Sequence, residues 1–331
     1  MTEKSLLSLR RRFVKDFNLP INIVDDPYFG YYMRAYDFFP REDYANILHE
    51  ITEKYEGNID AWLQHYAEIR DNMITTILNS DAYKAFNEMS LDNFKTPQKV
   101  EYLNTVRDLN IYNNTYTGCT FVSIDLKKAN FQALKYVNPD IVLGCDTYEE
   151  LIDKFGGDEY FKKSKYTRQV VFGKLNPQRT IKVEKFLIHS IFADERNKFF
   201  GVLLDNMELL SVKSDEIIFK VIPENLLVTK ELLDAVREEI KVNNGLDVRV
   251  EAFNLERIVC TNHNGTVVDG YKRCFFLEGE RYDLKNVSSI FFPQIYAFCN
   301  GKQLCENDLV FRAEDQIATF LYPLNFERIE K

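Results

Sequence analysis

The spacing of apolar residues predicts a helical first third of the chain. Tyr44, Ile47, Leu48 and Ile51 recur with the three-to-four-residue period of an amphipathic helix. A second helix is predicted after Asn58 or Asp60, either of which is a suitable N-cap. It runs through Ala61, Leu63, Ile69, Met73 and Ile77. Residues 17–36, which are rich in aromatic residues, fit neither periodicity and are predicted to be extended or irregular.

From about residue 116 to 255, short apolar runs alternate with helical patterns. Strands are predicted over 119–124, 199–204, 209–212, 217–221 and 246–253. Helices are predicted over 127–136, 147–155, 159–171, from Pro177 through Ile191, and over 230–243.

The last segment is dominated by short strands, predicted over 267–271 and 273–280, with a helix near 290–298. Strands mixed with helices and a late hairpin indicate an α+β fold and not a doubly wound sheet. We therefore expect three regions. They are a mainly helical N-terminal region (1–115), a mixed core (116–255) and a small β-rich C-terminal region (256–331).

Composition narrows the class of protein. The chain has 331 residues and a net charge of −9, whereas a passive nucleic-acid coat protein is usually basic. Any contact with phosphates should therefore be local or should use metal ions.

The six cysteines form no Cys-x-x-Cys pair and the four histidines do not cluster with them, which argues against a zinc site. No apolar run reaches membrane-spanning length. We expect a reducing compartment such as the cytoplasm, with no secretion.

Two acidic segments are the main candidates for chemistry. Asp125 ends an apolar strand that leads into a helix, and Asp215 and Glu216 lie at the tip of a predicted hairpin. If the two strands are neighbours, Asp125 and Asp215 come together, and their repulsion is relieved by a divalent cation. That arrangement is typical of two-metal phosphoryl transfer. The competing interpretation is that these residues are ordinary helix caps and turn formers.

A basic stretch lies between the two acidic segments. No acidic residue occurs from 161 to 179, where six are cationic: Lys162, Lys163, Lys165, Arg168, Lys174 and Arg179. On a helix, Lys165 and Arg168 share a face, which is suited to holding phosphates. The alternative is a solvated helix face.

Three motifs together resemble the palm and fingers of family A (Pol I-like) DNA polymerases. The apolar strand that meets Asp215-Glu216 is similar to the third palm motif, with Ser214 where the family has His. Ser123-Ile124-Asp125-Leu126 is similar to the first motif, but the following helix lacks the family's sugar-contacting Glu. Between them, Arg168 stands five residues before Gly173, where the family has Lys. Asn176-Pro177 replaces the family's Tyr-Gly.

The resemblance implies a diverged, minimal polymerase-like palm sheet in the 116–255 region. Asp125 and Asp215 would bind Mg²⁺ or Mn²⁺, and Glu216 would assist. The predicted nucleotide and phosphate contacts are Arg168, Lys165, Lys163, Lys174 and Gln169. The implied partners are nucleic acid, with DNA favoured over RNA, and nucleoside triphosphates. No membrane partner is expected.

Two other functions stay open at this point. In the first, the palm persists as a scaffold in a non-catalytic nucleic-acid-binding protein. In the second, the acidic turns are incidental in a structural or assembly protein. Its C-terminal aromatics, including Tyr296, Phe298 and Phe320, would then contact a protein partner.

Overall fold

The computed structural model describes residues 3–36, 43–56, 58–223, 227–262, 265–279 and 281–329. The first part is helical, as predicted, with helices α1 (Glu3–Asp16), α2 (Tyr28–Ala35), α3 (Tyr44–Lys54), α4 (Ile59–Asn79) and α5 (Asp81–Glu88). Short 3₁₀ turns follow at Leu91–Phe94, Gln98–Thr105 and Asn114–Tyr116. Asn58 is the N-cap of α4, because its side chain accepts a hydrogen bond from the Ala61 amide at 3.2 Å. The prediction for residues 17–36 was wrong at α2, which buries Phe29 and Tyr32.

The middle of the chain alternates between strands and helices. Its elements are β1 (Thr120–Leu126), α6 (Ala129–Val137), a 3₁₀ turn (Pro139–Val142), α7 (Tyr148–Lys154), α8 (Glu159–Lys163), α9 (Lys165–Gly173), α10 (Pro177–Ala193), α11 (Lys198–Asn206), β2 (Met207–Val212), β3 (Glu216–Val221) and α12 (Lys230–Asn244). Thr229 caps α12 through the Leu232 amide, and Gly245 ends it with a positive φ, as the sequence predicts.

The last part adds strands to the same sheet. Its elements are β4 (Val248–Asn262), β5 (Gly265–Cys274), β6 (Tyr282–Lys285), α13 (Phe292–Cys299), a 3₁₀ turn (Glu306–Leu309), β7 (Val310–Ala313), β8 (Gln316–Thr319) and β9 (Glu327–Ile329). The main sheet has the order β2-β3-β1-β4-β5-β6, with β9 also on β4, and β7 and β8 form a separate pair. Each strand pairing is antiparallel. The α+β prediction is confirmed.

Successive side chains of β1 face opposite sides of the sheet. Val122, Ile124 and Leu126 join the main core, whose buried residues run from Leu9 to Val310. Phe121 packs on the other side, in a smaller cluster with residues from β3, β4 and β5. The alternation therefore puts Asp125 on the side of the smaller cluster.

The division of the chain into regions 1–115, 116–255 and 256–331 stays a prediction.

Residues 199–204 form most of helix α11 and not the predicted strand. A short apolar run fits a buried strand and a buried helix equally well. The helix is favoured by Glu239 of α12, whose carboxylate accepts hydrogen bonds from the first amides of α11, including Phe199 at 3.2 Å and Phe200 at 3.1 Å. A carboxylate at a helix N-terminus accepts hydrogen bonds from the otherwise unpaired first amides, and its negative charge interacts favourably with the helix dipole.

Two further predicted elements have different boundaries. The basic helix expected over 159–171 is two helices, because the Ser164 hydroxyl accepts from the Thr167 amide at 3.0 Å and so starts α9. The strand expected over 273–280 ends at Cys274. There the chain turns, with the Phe275 amide bonded to the Arg281 carbonyl at 2.9 Å, and β6 returns along β5. Residue 280 lies outside the described residues.

Of the three C-terminal aromatics named from the sequence, Tyr296 is buried and Phe298 and Phe320 are half-buried. Tyr296 is buried and its ring lies 5.0 Å from that of Tyr36. Phe298 packs on Phe326, and Phe320 packs on Phe311 at 4.4 Å between ring centroids. That this region contacts a protein partner stays a prediction. Within the described ranges, no helix has both the length and the apolar character needed to cross a bilayer.

Candidate functional site

The pairing of β1 with β3 brings the two predicted acidic segments together. Asp125 lies opposite Glu216 in the antiparallel register, and the Leu126 amide donates to the Asp215 carbonyl at 2.8 Å. The hairpin turn is closed by the Lys213 amide, which donates to the Glu216 carbonyl at 2.8 Å. The end of β1 and the tip of the β2–β3 hairpin therefore form one acidic edge, as the sequence predicts.

The pKa of Asp215 reflects the proximity of the two acidic segments. Its partial burial raises the pKa of its carboxyl group, and repulsion from Asp125 raises that pKa further. Lys213 and Lys165 act in the opposite direction. This repulsion shows that the Asp125 and Asp215 carboxylates are close enough for their charges to interact.

Asp125 is already paired with a cation of the protein. Arg249, its neighbour on β4, donates from Nη2 to the Asp125 carboxylate at 2.8 Å. Arg249 also lies 3.6 Å from the buried carboxylate of Glu251, which accepts from Arg281 at 2.7 Å. A row of alternating charges thus crosses this face of the sheet and ends on Asp125. The sequence gives no motif for Arg249, because its pairing depends on the strand register.

Glu216 forms an ion pair within its own turn, and its auxiliary role stays a prediction. Its carboxylate accepts from Lys213 Nζ at 3.2 Å, and Lys213 also lies 3.7 Å from Asp108. Glu216 therefore balances the lysine of its own turn. Glu224, at the end of the motif that resembles the third palm motif, lies outside the described residues.

A second carboxyl group beside Asp215 was missed by the sequence analysis. Glu184 of α10 is only 3% exposed, and it accepts from Asn130 Nδ2 of α6 at 2.7 Å. Its burial and the nearby Asp215 raise its pKa to about 7. The available signal was its position on the apolar face of α10, one helical turn after Thr180 and one before Ile188.

Arg168 lies near enough to Asp125 for their charges to interact. Its guanidinium lies 5.8 Å from the Tyr148 ring, and its charge interacts with Glu149 and Asp125. Burial lowers the pKa of Arg168. In the part of the chain that the structure describes, its guanidinium makes no side-chain hydrogen bond and no ion pair. A half-buried guanidinium with open donors is suited to a phosphate or carboxylate ligand.

The other cations of the basic stretch divide into two groups. Lys162 pairs with Asp153 at 2.8 Å, and Arg179 donates to the Phe86 and Met89 carbonyls, so both have structural roles. The predicted contacts Lys165, Gln169 and Lys174 are exposed, and Lys163 is half-buried. Lys165 lies near enough to Asp215 to lower its pKa. Arg168 and Lys165 are therefore the residues of this set that the fold brings to the acidic edge.

The carboxylates present fit a magnesium-type site only in part. Among the described residues, no group of three or more His, Cys, Asp or Glu side chains is arranged to hold a metal ion. Mg²⁺ is commonly held by one or two carboxylates together with substrate phosphates and water. Asp125 and Asp215 provide that smaller donor set, so a site completed by substrate is compatible with this geometry.

Three comparisons with known proteins found no match to this chain. No family model matches the chain, and neither a curated protein nor a solved structure matches it. The polymerase resemblance therefore rests on the three motifs and on the arrangement of their residues.

If Asp125 binds a divalent cation as the sequence predicts, replacing Arg249 with glutamine is expected to tighten Mn²⁺ binding by about three- to tenfold, because Arg249 would compete with the metal for the carboxylate. Isothermal titration calorimetry of the metal-free protein with Mn²⁺ measures the change. Arg257→Gln is the matched control, since Arg257 lies on the same strand and pairs with Asp269 at 2.8 Å. Equal affinities for the Arg249→Gln and Arg257→Gln proteins would show that Arg249 does not compete with the metal.

Proposed function

We propose that the chain is a metal-dependent nucleotidyltransferase with a diverged palm like that of family A DNA polymerases. The observation that carries the proposal is the β1–β3 register, which sets Asp215 beside the end of β1 and Asp125. The antiparallel sheet with both acidic turns at one edge is compatible with a palm. The neighbouring helix α9 contributes Arg168 and Lys165 to the same edge.

In this proposal, Asp125 and Asp215 hold Mg²⁺ or Mn²⁺ with the substrate phosphates. When bound, such ions lower the pKa of the attacking hydroxyl and neutralise charge on the phosphates. Arg168 binds a phosphate oxygen through its open donors, and Lys165 adds a second positive charge. Glu216 keeps Lys213 in place in the turn and is a supporting residue, not a ligand.

A second candidate function is supported by the Arg249–Asp125 ion pair. An arginine that permanently occupies Asp125 would leave a nucleic-acid-binding protein without catalysis. The departures at Ser214 and Asn176, and the missing glutamate after Asp125, agree with that alternative.

The deciding experiment is primer extension with the full-length protein, with Mg²⁺ and with Mn²⁺, using all eight nucleoside triphosphates. Incorporation that requires the divalent cation is the expected result. Salt-sensitive binding of primer-template without incorporation in either metal would favour the non-catalytic alternative. Absence of both incorporation and binding would contradict the two nucleic-acid functions together.

A further inference from the structure

A pocket of about 430 Å³ opens between α6, the start of α7 and the end of α12. That volume lies within the range of about 300–1,000 Å³ that is usual for small-molecule sites. Its deep lining includes Phe131, Tyr148 and Leu246, all of which are buried. Tyr136, on the same lining, is 49% exposed. The pocket therefore has an apolar floor, and Tyr136 presents the exposed ring on which a flat ring can stack.

Charged groups of both signs line the pocket. Four are lysines and three are carboxylates, namely Lys127, Lys128, Lys135, Lys241, Asp146, Glu149 and Asp247. Three pairs form among them: Lys127 with Asp247 at 3.1 Å, Lys135 with Asp146 at 2.8 Å, and Lys128 with Glu149. Within the described ranges, Lys241 has no ion pair.

These ion pairs leave the lysines available to a ligand. The carboxylates of the three pairs are at least two-fifths exposed, and exposed ion pairs contribute little, about 0–1 kcal/mol each. A phosphate, with more charge and more acceptor oxygens than a carboxylate, can replace the carboxylates as the partner of the lysines. The carboxylates released in this way become acceptors for hydroxyl or amino groups of the same ligand.

One wall of the pocket is held in place by a side-chain amide. Gln132 Nε2 donates to the Asp247 carbonyl at 2.7 Å, and Gln132 Oε1 accepts from the Asp247 amide at 2.8 Å. The Lys127 amide donates to the same Asp247 carbonyl at 3.0 Å. The segment that carries Asp247 is therefore fixed against α6, and ligand binding need not order it.

We propose that this pocket binds a mononucleotide. The base stacks on the Tyr136 ring above the apolar floor, the phosphate contacts Lys135 and Lys241, and the sugar hydroxyls donate to the carboxylates. A nucleotide combines a flat apolar ring, an anion and hydroxyl donors, and the lining offers a partner for each. Inorganic phosphate would use the lysines alone, and an uncharged aromatic compound would use the floor alone.

The pocket is separate from the acidic edge but shares a wall with it. The Tyr148 ring lies 5.6 Å from Lys128 Nζ on the pocket side and 5.8 Å from the Arg168 guanidinium. Asp125 and Asp215 do not line the pocket. Nucleotide binding there therefore needs neither carboxylate, and the proposal does not depend on the proposed transferase activity.

The test is equilibrium dialysis of the full-length protein with AMP, GMP, CMP and UMP in EDTA, so that the metal-dependent edge does not contribute. Saturable binding of at least one nucleotide is expected. Lys135→Ala combined with Lys241→Ala is expected to weaken that binding by about tenfold or more, because two charge-assisted contacts are lost. Because Asp125 and Asp215 do not line the pocket, failure of the primer-extension assay would leave this expected result unaffected.

The control is Lys84→Ala combined with Lys95→Ala. These two exposed lysines pair with Asp81 and Asp92, away from the pocket, and the variant should bind the nucleotide normally. Three results would overturn the proposal. They are no saturable binding of any nucleotide, unchanged binding in the Lys135/Lys241 variant, and displacement by inorganic phosphate at the same concentration as by the nucleotide itself.

Discussion

Replacing Asp125 or Asp215 with asparagine is expected to reduce divalent-dependent nucleotide incorporation by about a thousandfold or more. Asparagine keeps the shape of the side chain and removes the negative charge. Because backbone hydrogen bonds close the hairpin turn (Lys213 to Glu216) and join it to β1 (Leu126 to Asp215), the sheet should fold unchanged. The lost rate therefore reports the charge at each position and not the integrity of the fold.

The measurement is the single-turnover rate of primer extension in Mg²⁺, with thermal unfolding recorded for each variant. Asp140→Asn is the matched control, since Asp140 is an exposed carboxylate in the turn that follows α6. Its rate should equal that of the wild type. Full activity in both the Asp125 and the Asp215 variants would rule out the acidic edge as the catalytic centre.

The parts of this site that the sequence predicts are those encoded by local signals. The strand ending at Asp125 and the hairpin carrying Asp215 are marked by apolar runs and a polar turn, so their positions follow from periodicity. Neighbouring strands then place the two residues at the same end of the sheet. The antiparallel β1–β3 register in the structure agrees with that expectation.

The parts that the sequence does not predict depend on contacts between distant residues. Helix α11 is favoured by Glu239, about forty positions further along the chain, and no local pattern reports that contact. The Arg249–Asp125 ion pair likewise joins residues 124 positions apart. The basic stretch is a similar example. A count of charges does not show that the Arg179 guanidinium is hydrogen-bonded to backbone carbonyls while the Arg168 guanidinium has open donors.

Glu184 shows how a tertiary environment changes the chemistry of a residue. In the sequence it is one acidic residue of a helix, which usually indicates a solvated face. In the structure it is buried between α10 and α6 beside Asp215, and its carboxyl group prefers the protonated form at acidic pH. It therefore couples the stability of the helix layer to the charge at the acidic edge.

We expect Glu184→Gln to stabilise the protein above neutral pH and to have little effect in acid. The pKa of Glu184 is about 7 in the folded protein, compared with 4.5 for an ordinary glutamate. Below about pH 4.5 the carboxyl group is protonated in both the folded and the unfolded state, so ionisation carries no penalty. As the pH rises to about 7, the unfolded chain releases the proton first, and the free energy of unfolding of the wild type falls.

Above that range Glu184 is ionised in both states, and the cost of burying its charge is constant, on the order of 3 kcal/mol from the pKa difference. Glutamine retains the acceptor for Asn130 and has no charge, so its advantage in unfolding free energy should grow from near zero at about pH 4 to that value at about pH 8.

Urea unfolding across this pH range, in EDTA to keep cations from the acidic edge, measures the difference. Glu195→Gln, at an exposed carboxylate just after α10, should change the unfolding free energy by less than about 0.5 kcal/mol at each pH. If the wild type and the Glu184→Gln protein instead lose stability in parallel as the pH rises, the titrating group lies elsewhere and burial of Glu184 carries no ionisation cost.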